Sequence, residues 1–302
     1  MLTTGGGSLA SQRLGVQAHC LRFEIQRGLE PALEEVRRLG LAAIELVYLP
    51  GCRGNWWGDF GATADRSPRD IAQAIAAAGL ECPSVMASPQ DLCDERIAGT
   101  LDWVAGTGAP VLSLASFAKP APGTSRNWSA EFDSLDRLAD RVASAGLSFA
   151  LHTSPELWAP VEGRRPCDDL LRRLDPRRCR VVFDPAGAII HGEDPARFLQ
   201  LRPDAFFALH LRDGYQPPEP VFYLASEAVG AGEIDWDALI VAAAATSLQW
   251  YFLEMEVPRP DETLAALRQS IDYLHTRRLL QPDAGAGSRA TTTGLPTSRS
   301  RA

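Results

Sequence analysis

From residue 13 to about residue 279, short apolar runs alternate with longer stretches in which apolar residues recur every three or four positions. The runs Leu14–Ala18, Ala42–Val47, Cys82–Met86, Pro110–Ala115, Ser148–His152, Arg180–Asp184, Ala205–Arg212 and Trp250–Glu256 have the length and apolar character of buried strands. The intervening stretches read as amphipathic helices. Leu29, Leu33, Val36 and Leu39 share one helical face, and Gly40 stops the run. Further helices are predicted near Pro68–Ala78, closed by Gly79, across Leu92–Ala105, and near Ala130–Ala145, ended by Gly146. Others fall at Cys167–Leu174, Pro195–Leu199 and Asp235–Ala245, with Asp235 as N-cap. A last helix carries Leu264, Leu267, Ile271 and Leu274 on one face. Strands that alternate with helices pair in parallel, and eight such units predict a closed α/β barrel, a single (β/α)₈ TIM barrel. No glycine-rich phosphate turn follows the first strand, which disfavours a doubly wound open sheet.

The ends depart from this rhythm. Residues 1–12 are rich in Gly, Ser and Thr, and residues 280–302 carry little to bury, so both are expected to be disordered. The remaining 13–279 has about the length of one barrel domain. The formal net charge of −8 disfavours nucleic acid and anionic membranes as partners. The basic pairs Arg164–Arg165 and Arg177–Arg178 read as solvated faces. No stretch approaches 18 uninterrupted apolar residues, and residues 1–7 lack the features of a signal peptide. Six cysteines form no CxxC pair and no zinc-knuckle spacing, which fits a reducing, cytoplasmic setting.

In a barrel of this kind the active residues gather at the carboxyl ends of the strands. In the second half of the chain, apolar runs end there on polar side chains: Phe149-Ala-Leu-His152, Val181-Val-Phe-Asp184, Phe207-Ala-Leu-His210-Leu-Arg212-Asp213 and Tyr251-Phe-Leu-Glu254-Met-Glu256. A buried carboxylate or imidazole needs a partner. His152, Asp184, His210 and Glu254 converging on one mouth can share a divalent cation. Two imidazoles and two carboxylates suit Mn²⁺, Zn²⁺, Co²⁺ or Fe²⁺ better than Ca²⁺. Arg212 shares strand parity with His210, so it either holds a substrate oxygen or pairs with Asp213 or Glu256. Glu45 lies near the end of the second strand and either contacts substrate or caps the site. Trp57, in the loop Gly54-Asn-Trp-Trp-Gly58, and Trp158 are candidates to stack on a sugar or to pack their loops, as is Phe117. His19, Cys20, His191 and His275 are assigned structural roles.

The stretch Leu209-His210-Leu-Arg-Asp213 followed by Val229-Gly-Ala-Gly-Glu-Ile-Asp-Trp236 resembles the "HxKD … VGxGxIDW" pairing of the xylose isomerase-like barrels. The subgroup it is most similar to is the sugar phosphate isomerase/epimerase family. Gly15-Val-Gln-Ala and Ala43-Ile-Glu45-Leu resemble that family's first two strands. The resemblance implies one divalent cation held from strands five to eight, by the strand-five polar residue, Asp184, His210 and Glu254. In epimerase members the strand-five ligand is Glu, and it forms an acid/base pair with the strand-eight glutamate. Here His152 stands in its place, with Glu156 four residues on as a replacement base. The family's Asp-x-x-His is here Asp184-Pro-Ala-Gly187, so a substrate-contacting His is missing.

Moving a proton from a carbon beside a carbonyl needs a base and a means of stabilising the enolate oxygen, which a divalent cation supplies. The sequence therefore predicts a metal-dependent isomerase or epimerase of a small sugar or keto-polyol, with Glu254, His152 and Glu156 as the catalytic groups. Two alternatives stay open: a dehydratase or lyase acting on a keto-sugar or keto-inositol, and a non-catalytic sugar-binding barrel. A homo-oligomer also stays open. A DNA-repair endonuclease, which needs many histidines and a basic groove, is disfavoured by five histidines and the negative charge.

Overall fold

A computed structural model describes residues 13–52, 58–120, 122–216, 225–255, 262–277 and 279. The expectations for Trp57, Glu256 and both chain ends lie outside the described residues. The strands are β1 (Arg13–Gln17), β2 (Ala43–Val47), β3 (Ser84–Ala87), β4 (Val111–Leu114), β5 (Ser148–His152), β6 (Arg180–Phe183), β7 (Phe206–Leu211), β8 (Asp213–Tyr215), β9 (Ala225–Glu227) and β10 (Trp250–Leu253). Eight of them close a parallel barrel in the order β1-β10-β7-β6-β5-β4-β3-β2. The short β8 and β9 form a separate antiparallel pair. The fold expected from the hydrophobic pattern is therefore the one observed.

The helices are α1 (Arg22–Arg27), α2 (Leu29–Arg38), α3 (Pro68–Ala77), α4 (Ile97–Thr107), α5 (Trp128–Ser144), α6 (Pro166–Arg173), α7 (Ala186–Ile190), α8 (Pro195–Leu201), α9 (Trp236–Ala244) and α10 (Thr263–Thr276). Side-chain caps set several starts: Ser67 accepts from the Asp70 amide, Asn127 from Ala130, Asp194 from Ala196 and Asp235 from Ala238. The helix expected from Leu92 begins only at Ile97. Asp91 holds the preceding segment in a turn, its Oδ2 accepting from Ser88 Oγ at 2.6 Å and its carbonyl accepting from Thr100 Oγ1 at 2.7 Å.

Two apolar layers result from strand alternation. One packs the outer faces of the strands against the helices. The other, with Ala43, Val111, Ala150, Val182, Ala208, Trp250 and Phe252, fills the barrel interior. Residues two positions further along each strand share this inner face, and there the lining turns polar: Glu45 after Ala43, His152 after Ala150, Asp184 after Val182, His210 after Ala208 and Glu254 after Phe252. The interior is thus an apolar floor beneath a polar layer at the carboxyl ends. Among the described residues no helix is long and apolar enough to cross a membrane.

Candidate functional site

Backbone tethers fix the rim of the polar layer. Thr153 Oγ1 accepts from the Asp184 amide at 2.9 Å and donates to the Asp184 carbonyl at 3.2 Å, locking the end of β6 to the end of β5. The Glu254 amide donates to the Leu211 carbonyl at 3.2 Å. Cys20 Sγ accepts from the Met255 amide at 3.1 Å and lies 3.5 Å from the Leu253 carbonyl, tying β10 to the turn after β1.

On this frame the predicted residues meet in one connected chain. His152 Nε2 lies 3.5 Å from Asp184 Oδ2, which in turn lies 3.3 Å from Arg212 Nη1. Arg212 Nη1 is 3.8 Å from Glu254 Oε1. Glu254 Oε2 contacts His210 Nδ1, and His210 Nε2 donates to Glu45 Oε2 at 2.9 Å. Glu45 Oε1 accepts from Ser84 Oγ at 2.7 Å. All of these side chains are buried, Glu45 and His210 completely.

Charge settles accordingly. Burial disfavours an imidazolium at His210, but Glu254 and Glu45 outweigh it and raise its pKa to about 10. Burial likewise pushes the Glu254 carboxyl up, and His210 and Arg212 more than reverse this, leaving it well below the usual carboxylate range. Asp184 behaves the same way, with Arg212 and then His152 overriding burial. Arg212 therefore acts as a clamp on two carboxylates. It does not pair with Asp213, whose carboxylate is committed elsewhere.

Asp213 accounts for the motif that follows. Its Oδ2 accepts from the Gly230 amide at 2.8 Å, the Gly232 amide at 3.2 Å and Trp236 Nε1 at 2.8 Å. Its Oδ1 accepts from the amides of Gly214 at 2.8 Å and Ile234 at 3.3 Å. Gly230 sits at φ 86°, which a side chain rarely adopts. Asp213 and the Val229–Trp236 segment are one folding unit behind the site.

The donor set fits a divalent cation. His152 Nδ1 lies 3.0 Å from the Ala115 carbonyl, which can only accept, so Nδ1 is protonated and Nε2 is the nitrogen that would meet a cation. That Nε2 is buried and makes no hydrogen bond. Ligand atoms of His152, His210 and Glu254 all lie within 4.8 Å of one another, and Asp184 stands beside them. A buried imidazole nitrogen among carboxylates calls for a positive charge between them, a proton or a metal ion.

Other expected residues are placed differently. Glu156 Oε1 accepts from the Phe117 amide at 3.2 Å, bracing the β5 loop against the β4 loop. Trp158 is 1% exposed and packs on Phe198 and Phe183 with centroids 4.7 and 6.1 Å apart, so it offers no face for stacking on a sugar. Phe117 packs edge-on against Trp128 and Phe132. Gly187 lies under Trp158: a Cβ there would come within 2.2 Å of the indole Cδ1. The ring fills the space where the missing histidine would start. The expected solvated arginines carry ion pairs, among them Arg164–Asp169, Arg165–Asp168 and Arg178–Asp140.

Two residues were missed by sequence reasoning. Ser84 gives no signal beyond being a buried hydroxyl at the start of a strand. His19, assigned a structural role, is 7% exposed in the turn after β1 and lies in the field of Glu254 and Arg212. Burial first, then Arg22, lowers its pKa to about 4, so it is neutral at pH 7. A cavity of about 270 Å³ opens at the opposite end of the barrel, among Pro83, Pro110, Ser148, Gln249 and Trp250. Those residues precede or begin strands, and the metal-ligating types do not gather there.

A family model described as xylose isomerase-like TIM barrel matches residues 33–277. The chain belongs to this family. Among the relatives of this xylose isomerase-like barrel is an inosose dehydratase of Geobacillus thermodenitrificans, 22% identical over 171 residues, which cover 49% of this chain and 57% of that protein. The chain thus matches little more than half the length of that relative. In structure it is similar to a sugar phosphate isomerase/epimerase of Parabacteroides distasonis, with TM-score 0.74 and 17% identity over 93% of this chain and 100% of that one. It is also similar to an IolI protein with a bound zinc atom, with TM-score 0.67 and 14% identity over 88% and 99%. At these identities the structural likenesses establish the barrel fold.

Proposed function

We propose that this barrel is a divalent-metal-dependent isomerase or epimerase of a small sugar or keto-polyol, with the ion held by His152, Asp184, His210 and Glu254. The observation that carries this reading is His152 Nε2, a buried nitrogen with no hydrogen bond, beside His210 and Glu254. Zinc in the IolI relative supports it. When bound, such an ion polarises a carbonyl oxygen and stabilises an enolate. The chain's own groups supply the rest. Glu254, kept ionised by His210 and Arg212, is the proton acceptor. Arg212 pairs with both Asp184 and Glu254 and so ties the two carboxylates to one another. Glu156, whose Oε1 accepts from the Phe117 amide at 3.2 Å, would have to leave that amide to serve as the second base.

A dehydratase is the second reading, favoured by His152 in place of a second glutamate and by the inosose dehydratase relative. Elimination needs one carboxylate base and a departing hydroxyl, so the missing partner matters less. Metal content by mass spectrometry, after incubation with Mn²⁺, Zn²⁺, Co²⁺ or Fe²⁺, tests the common premise. About one ion per chain is expected in the wild type, and loss of that ion in the His210→Ala/Glu254→Ala variant. A wild type that stays metal-free rejects both readings. Proton NMR of keto-sugars and keto-inositols in D₂O then separates them. Deuterium at a retained carbon marks isomerisation, and an enone with loss of water marks elimination.

A further inference from the structure

We infer that Glu45 and Ser84 are positioning residues for His210, holding its ring so that Nδ1 faces the metal-binding groups. The inference rests on the reading of His210 as a metal ligand. Glu45 is wholly buried, at the level where the apolar floor gives way to the polar layer. A carboxylate there is costly unless each oxygen is used, and each is: Oε2 accepts from His210 Nε2 at 2.9 Å and Oε1 from Ser84 Oγ at 2.7 Å. The sequence offered Glu45 as a substrate contact or as a cap on the site. With no exposed surface and both oxygens engaged, it instead meets the inner nitrogen of His210.

The topology makes the contact informative. Going round the barrel from β2, His210 on β7 is reached only after β1 and β10, so Glu45 spans the interior. A side chain that reaches across a barrel loses rotamer freedom, and Ser84, on the adjacent β3, fixes the carboxylate that does so. Carboxylates face both ring nitrogens, Glu45 Oε2 at Nε2 and Glu254 Oε2 at Nδ1; a cation shared with Glu254 would take the place of the Nδ1 proton, while Glu45 would keep the proton on Nε2. A carboxylate behind the distal nitrogen of a ligating imidazole fixes its tautomer and orientation and raises its basicity. The three residues form a Ser84–Glu45–His210 line, each supporting the next.

Co²⁺ binding to the full chain tests this, followed by the visible absorption of the bound ion, which reports its ligand geometry. Glu45→Gln keeps the shape and removes the charge. It is expected to weaken Co²⁺ binding about 10- to 100-fold and to change the absorption envelope. Ser84→Ala is expected to shift both in the same direction and by less. In a His210→Ala background, Glu45→Gln is expected to add nothing, because the coupling runs through that ring. Co²⁺ affinity and spectrum unchanged in a folded Glu45→Gln overturn the inference. Should Glu45→Gln not fold, Ser84→Ala decides alone, and an unchanged affinity there overturns it equally. A wild type that binds no Co²⁺ fails differently: it removes the proposed function, and the positioning role with it.

Discussion

Single residues here carry more than one group's worth of structure, and Asp213 is the clearest case. Four backbone amides and one indole N–H converge on its carboxylate, which is fully buried. Asp213→Ala leaves five donors without an acceptor, at about 1–3 kcal/mol for each that water cannot reach. The expected loss of stability is therefore at least about 3 kcal/mol, read from the midpoint of urea unfolding. Trp236→Phe removes one donor and shrinks a wholly buried ring, so it should cost about 1–2 kcal/mol, less than Asp213→Ala. Equal losses for the two would mean that ring packing, not the carboxylate, organises the segment. The spacing between Asp213 and Trp236 was visible in the sequence as a motif, but its cause was not. Nothing in a linear pattern says that one carboxylate gathers amides from 1 to 21 positions away.

At the scale of elements, α7 and the β5 loop are matched to each other through Gly187 and Trp158. A methyl group at 187 would sit 2.2 Å from Trp158 Cδ1 and 2.5 Å from Nε1. Gly187→Ala is thus expected to destabilise by about 1–3 kcal/mol through overpacking. Trp158→Leu alone should also cost stability, since it empties part of the cluster with Phe183 and Phe198. Combined, the two substitutions should cost less than their sum, because the smaller side chain removes the clash. Strict additivity in thermal unfolding would show that helix and loop do not share this space. The sequence recorded the missing histidine at 187 but not its reason, which is a ring 29 positions earlier. It also gave no hint of α7 or α1, which span five and six residues, too few for a helical period to show. The β8–β9 pair escaped for the same reason, with three residues in each strand.

For the whole molecule, the barrel was legible because its two periods, alternate apolar strands and amphipathic helices, repeat eight times and agree with each other. The rim was legible because polar residues end apolar runs in consecutive strands. What stayed hidden was the partner of each: that Arg212 clamps Asp184 and Glu254, and that Glu45 lies across the interior from its own strand. This arrangement has a consequence for stability. The proposed ligands come from the ends of β5, β6, β7 and β10, and they are assembled only when the barrel is closed. An ion bound there therefore favours the folded chain, by about 2.7 kcal/mol when free metal is a hundredfold above its dissociation constant. For a chain of this size that corresponds to a rise in Tm of roughly 4–5 °C. Adding Zn²⁺ or Mn²⁺ to protein stripped with a chelator should produce this rise, and the chelator should reverse it. The His210→Ala/Glu254→Ala variant should melt at one temperature under all three conditions. A variant that still responds to metal would place the ion elsewhere on the chain, and a wild type that does not respond would rule out the metal site proposed at His152, Asp184, His210 and Glu254.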